Sequence, residues 1–186
     1  FNDVPVYRTI GEIISMNTDS ITLYKLMIMY MLNKVNFPLS NSQISEFMLE
    51  NQFTNYFTLQ EVINSLVSDG FLSVVTYRNS TQYKLTSEGT ETIGFFYTKI
   101  SQSIRDDIDN YIKANKYELK SEAGTTADYY KNTNGEYTVH CQVKEGESTL
   151  IEINVSVPSE DIADKMCSNW KDASQDIYDF IMHKMM

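Results

Sequence analysis

The apolar residues of this 186-residue chain change their period part-way along it, and that change limits the folds open to it. Up to about Lys116 they recur three and four residues apart, the spacing of one face of an α-helix. From Tyr137 to Val157 they alternate with polar residues: Tyr137, Val139, Cys141 and Val143 against Thr138, His140, Gln142 and Lys144, then Ile151, Ile153, Val155 and Val157 against Glu152, Asn154 and Ser156. A period of two puts one side of each strand on a core and the other in water, as in half-buried antiparallel sheets. A helical first part followed by an antiparallel second part predicts an α+β chain.

Within the helical part, Leu26–Leu32 is apolar without interruption. Seven residues are far short of the roughly 20 needed to cross a bilayer, so no membrane partner is expected. A helix apolar on nearly every side must instead be covered on several sides, by its own chain or by a dimer contact. After Phe37-Pro38-Leu39, Ser40 and Gln43 form a capping box that opens a short helix through Ile44, Phe47 and Met48, ending near Asn51. Thr58 and Glu61 repeat the box pattern and predict a third helix from Thr58 to Asp69, with Leu59, Val62, Ile63 and Leu66 inward. Phe71–Tyr77, the polar turn Arg78–Thr81 and Gln82–Leu85 predict a hairpin, and Thr86 caps the next helix. An amphipathic stretch at 101–116 carries Ile104, Ile108, Tyr111 and Ile112.

Beyond it, turns at Asn134-Gly135 and Glu145-Gly146 divide three strands, the first around Thr126–Lys131. Pro158-Ser159 ends the sheet and opens a long helix with Ile162, Met166, Trp170, Ala173, Ile177 and Ile181 on one side. The expected organisation is an N-terminal extension (1–15), a helical domain with a hairpin (16–100), a connecting helix (101–116) and a β-β-β-α domain (117–186).

Helix, helix, helix and two-stranded wing is the order of a winged helix-turn-helix. The expected fold is therefore α+β, an N-terminal winged helix-turn-helix followed by a small antiparallel three-stranded sheet packed on a long C-terminal helix. The stretch Tyr83-Lys84-Leu85-Thr86-Ser87-Glu88-Gly89 resembles the Y-x-L-T-x-x-G signature that closes the wing in MarR-like and PadR-like regulators. More closely, the chain resembles the bacterial family known as domain of unknown function 4364. Leu26–Leu32, Phe37–Leu72, the YKLTSEG stretch, Ile104–Ile112, Asn169-Trp170 and Ile177-Tyr178 carry that resemblance over about residues 19–182. It implies a winged-helix fold but no established activity, with Met16 as the natural start and no function for residues 1–15; the fold order and the wing signature are what lead to the expectation of a cytoplasmic transcriptional regulator, dimeric like similar regulators.

In a winged helix the third helix enters the major groove, which makes Thr58, Gln60, Glu61, Asn64 and Ser65 candidates for double-stranded DNA. Gln and Asn can bond adenine bidentately. Arg78 and Asn79 at the wing tip and Lys84 in the wing strand are the candidates for phosphate. Charge argues the other way. The net charge is -10, and residues 20–90 sum to about -1 while the last 96 residues sum to about -7. The third helix has no Lys or Arg, although phosphate neutralisation normally supplies much of the affinity. A winged helix used as a protein-interaction adaptor is the alternative.

Other chemistry is sparse. No HExxH, P-loop, GxSxG or GxGxxG occurs, and His140 and His183 lie in no catalytic pattern, so no enzyme is expected. Asp106, Asp107 and Asp109 lack calcium-loop spacing and read as a solvated helix face; no metal or cofactor is expected. Cys141 and Cys167, 26 residues apart with no CxxC, read as core thiols suited to a reducing compartment. Residues 1–15 lack the features of a signal peptide, so export is not expected. Trp170 reads as the anchor between the last helix and the sheet, or as the wall of a ligand pocket.

Overall fold

The computed structural model describes the backbone of residues 10–186 and side chains from Asp19 onward. Residues 1–9 of the expected extension lie outside the described residues, and the first helix, α1 (Ile10–Val35), begins inside that extension. Every residue from Leu26 to Leu32 is buried. The cover comes from the chain's own α3 (Tyr56–Ser68), α4 (Ser87–Phe96) and α5 (Gln102–Gly124). The all-round apolar character of α1 therefore needs no second subunit to account for it.

Ser40 caps α2 (Asn41–Glu50) as its sequence predicts: the hydroxyl accepts from the Gln43 N–H at 3.1 Å and the Gln43 side chain accepts from the Ser40 N–H at 2.9 Å. The third helix differs from expectation. Asn55, not Thr58, is its N-cap, accepting from the Thr58 N–H at 3.0 Å, so Thr58 lies within the first turn. Asn is the better cap, and it starts the helix two residues early.

The hairpin β2 (Leu72–Thr76) and β3 (Thr81–Leu85) is joined by an unexpected two-residue strand, β1 (Leu39–Ser40), to give an antiparallel sheet of order β1-β3-β2. At its base Thr86 caps α4, accepting from the Gly89 N–H at 3.1 Å. A Cβ on Gly89 would come 2.2 Å from the Phe71 carbonyl oxygen, so the Gly of the YKLTSEG stretch allows helix and hairpin to touch.

The second antiparallel sheet has order β4-β5-β6, from Thr125–Lys131, Tyr137–Glu145 and Ser148–Val157. The ladder between β5 and β6 is irregular at Val143/Lys144. The long helix α6 (Glu160–Met185) packs on β4 and β5 with Ala163, Cys167, Trp170 and Ser174 buried. Trp170 is buried as expected and Met166, Ala173, Ile177 and Ile181 are half-buried, but Ile162 is exposed and the deepest positions of the first turns are Ala163 and Cys167. Small residues there let the helix approach the sheet closely.

Two hydrophobic cores result, one among α1–α5 and the first sheet, the other between the second sheet and α6. The boundary expected at 116/117 falls inside α5. That helix continues to Gly124, placing Leu119 in the first core and ending where a Cβ on Gly124 would meet the Lys144 carbonyl oxygen at 2.2 Å. The chain is thus α+β, with six α-helices and two small antiparallel three-stranded sheets among the described residues.

Candidate nucleic-acid interface

The buried residues of α3 leave a row of Phe57, Glu61, Asn64 and Ser68 facing solvent, with Phe57 80% exposed. Of the five expected candidates on α3, Glu61 and Asn64 lie on this face, and Asn64 is the one of them that carries an amide able to pair with a base edge. Gln60 is half-buried and exchanges two hydrogen bonds with Asn41 of α2: the Asn41 amide donates to Gln60 at 2.9 Å and the Gln60 amide donates back at 3.2 Å. Its amide ties α3 to the first residue of α2. Thr58 turns toward the flank of α1, where it shares a shallow depression with Ser20, Ile21 and Tyr24. Ser65 donates to Asp69 at 3.1 Å.

Most of the nearby cations are engaged. Lys25 pairs with Asp69 at 2.9 Å, and hydrogen bonds from Lys25 and Ser65 hold that carboxyl below the usual carboxylate range. Lys34 pairs with Asp109 at 3.3 Å, and Tyr30 donates to the same carboxylate at 3.3 Å. Lys84 is exposed on β3 and has no carboxylate partner among the described residues.

The expected wing-tip contacts are placed differently from a free cationic tip. The Arg78 guanidinium lies 4.4 Å from the centre of the Tyr129 ring and donates to the Tyr129 hydroxyl. On α6 it meets Asp164 at 3.4 Å and Glu160 at 3.9 Å. Beside it, Asn79 accepts from the Ala127 N–H at 3.0 Å and donates to the Thr125 carbonyl at 3.3 Å. The Arg78 N–H donates to the Ala127 carbonyl at 3.1 Å. The turn of the hairpin thereby covers the first half of the open edge of β4, at Thr125 and Ala127. Asn41, Tyr129, Glu160 and Asp164 escaped the sequence reading because their partners lie 19 to 86 residues away; the acidic start of α6 was legible only as a helix N-terminus.

Trp170 is part of the second core, between α6 and the sheet. It is 3% exposed, and its indole N–H donates to the Gln142 carbonyl at 3.1 Å. A groove of about 460 Å³ lies between α5, α6 and the adjoining ends of β5 and β6 and includes Tyr117, Glu122, Leu150, Ile151, Lys171 and Tyr178. At its edge Glu122 accepts from Lys171 at 2.7 Å with one oxygen and from Ser40 at 2.6 Å with the other, tying α6 to the cap of α2 through α5.

His140 meets Glu152 at 3.0 Å across the outer face of the second sheet. Asp106 accepts from Gln102 at 2.7 Å. Among the described residues no group of three or more His, Cys, Asp or Glu side chains is arranged to hold a metal ion, and no helix is long and apolar enough to cross a membrane.

These features define an α+β chain in which one row of α3 faces solvent and the hairpin turn stands against an acidic sheet-and-helix unit. The chain belongs to the family described as a domain of unknown function (DUF4364), whose model matches residues 24–185. No curated protein and no solved structure matches it significantly.

Proposed function

We propose that this chain is a winged-helix, DNA-binding transcriptional regulator whose C-terminal β-β-β-α unit serves dimerisation or ligand sensing. The observation that supports the reading is the order of α2, α3 and the hairpin, with β1 joining the sheet in order β1-β3-β2, an order that a winged helix-turn-helix would have. In this reading α3 lies in the major groove, Asn64 faces base edges and Lys84 approaches phosphate. Gln60 ties α3 to α2 rather than touching bases. Arg78 reaches phosphate only after leaving Glu160 and Asp164.

The protein-adaptor reading is favoured by one specific observation: the outward row of α3 carries an exposed Phe57 and a negative Glu61, and no cation. Anisotropy of a randomised DNA pool against the full chain, across a salt series, decides between them. DNA binding predicts saturation that weakens with salt, a salt slope lowered by about 1 per site in Lys84→Ala, and about 1–3 kcal/mol of lost base discrimination in Asn64→Ala. A wild-type chain that does not saturate at low salt would exclude the DNA reading.

A further inference from the structure

The two edges of the second sheet are treated differently. The β4 edge is covered over its first half, at Thr125 and Ala127, by Arg78 and Asn79 of the hairpin, and ends in Lys131. The β6 edge has no partner strand among the described residues. Exposed edges are normally blunted with proline, lysine or inward-pointing charge, or by being very short. Strand β6 is ten residues long, contains neither Pro nor Lys, and has one ionisable side chain, Glu152, on its outer face. Its ladder irregularity lies at the Val143/Lys144 end and leaves Ile151–Val157 in regular register with β5. On the side facing α6, Ile151, Ile153 and Val155 are only half-buried, because α6 lies mainly over β4 and β5.

We infer that β6 is the subunit interface, pairing antiparallel with β6 of a second copy about a two-fold axis at Ile153 to make a continuous six-stranded sheet. The strand complements itself in that register. Ile153 meets its own counterpart and Ile151 meets Val155, all on the α6 side, where apolar cross-strand pairs stabilise a sheet. On the outer side Glu152 meets the Asn154 amide, twice by symmetry. Centring on Glu152 would set two carboxylates opposite each other. A stable interface needs about 800 Å² from each partner, more than five paired residues supply. The adjoining groove provides the rest: Tyr117 is 84% and Leu150 44% exposed, with Tyr178 beside them. The acidity of the C-terminal half opposes this association over long range, so salt tightens it; a basic peptide laid on the same edge would be loosened by salt.

This inference rests on the dimerisation clause of the proposed function and not on DNA binding, and its test contains no DNA, so the two fail separately. Sedimentation equilibrium of the full chain is measured at low and high salt for the wild type, Asn154→Glu and Asn154→Lys, with circular dichroism to verify folding. Asn154 is exposed and outward, so both variants keep the protomer intact. The wild type is expected to move from 21.5 kDa toward twice that mass with concentration, and more readily at high salt. Two new Glu–Glu oppositions in Asn154→Glu weaken association roughly fivefold or more, whereas two Glu–Lys pairs in Asn154→Lys strengthen it. A chain monomeric at every concentration, or one indifferent to both substitutions, would overturn the interface. Weakening by Asn154→Lys would overturn the register centred on Ile153.

Discussion

Asn79→Ala tests how the hairpin is fastened to the second sheet. Arg78 has the longer set of contacts, yet they are the weaker ones. Its guanidinium and both carboxylates are about half exposed, and such ion pairs contribute about 0–1 kcal/mol; stacking on Tyr129 adds about 0.5–1 kcal/mol. Asn79 satisfies the N–H of Ala127, a residue 1% exposed, and a carbonyl of buried Thr125. Removing its amide strands a buried donor, which costs about 1–3 kcal/mol. At about 2–4 °C per kcal/mol for a chain of this size, Asn79→Ala lowers Tm by about 4–8 °C for a loss near 2 kcal/mol. Arg78→Ala lowers it by less, and high salt shrinks only the Arg78 effect. Thermal melts of both variants at two salt concentrations measure this, with hydrogen exchange at the Ala127 amide as a local readout. If Arg78→Ala costs more than Asn79→Ala, or if Ala127 exchanges no faster without the Asn79 amide, the assignment of the fastening to Asn79 is wrong.

Two further outcomes follow from groups whose protonation the fold displaces. Burial, then repulsion from Glu50, Glu118 and Glu122, pushes the Glu46 carboxyl above its usual 4.5. The native state therefore takes up this proton more readily than the unfolded chain, and stability associated with it is lost as pH rises through the native pKa. Glu46→Gln is expected to raise Tm at pH 7, with the advantage vanishing as pH falls below about 4; an equal gain at both pH values would contradict it. Burial pushes both the Cys141 and Cys167 thiols up to about 11, so neither is a thiolate near neutral pH. Labelling with an aromatic disulfide reagent at pH 8 should be negligible in the native protein and reach two thiols on unfolding, and rapid native labelling of either would count against the second core as described.

What could be read from the sequence was mostly local chemistry. The Ser40/Gln43 box lies within four residues, and the alternation in β5 and β6 fixed both strands closely. Thr58-x-x-Glu61 satisfied the same box pattern, but Asn55 competed for the role of cap and won. The last two turns of α5 were missed because their apolar stripe thins to Leu119, while the surrounding Lys, Glu and Ala residues still favour helix. At the start of α6 the buried position is Ala163 and not Ile162, because Ile162 ranks higher in hydrophobicity whereas close packing against a sheet selects the smaller residue. At the candidate interface, Asn64 and Lys84 could be placed from helical and strand periodicity. The fates of Gln60, Arg78 and Asn79 depended on partners on distant elements, which no periodicity reports.

The enclosure of α1 also imposes a timetable. Its buried run is complete at Leu32, but Ile108 and Ile112 of α5, which help to cover it, follow roughly 80 residues later. At about 5–20 residues per second of synthesis, that is about 4–16 s during which an apolar segment without a polar face waits for its cover. A nascent chain in that interval is a natural client for a holding chaperone, and a pause in translation between α4 and α5 would cost more soluble protein than a pause of equal length after Gly124.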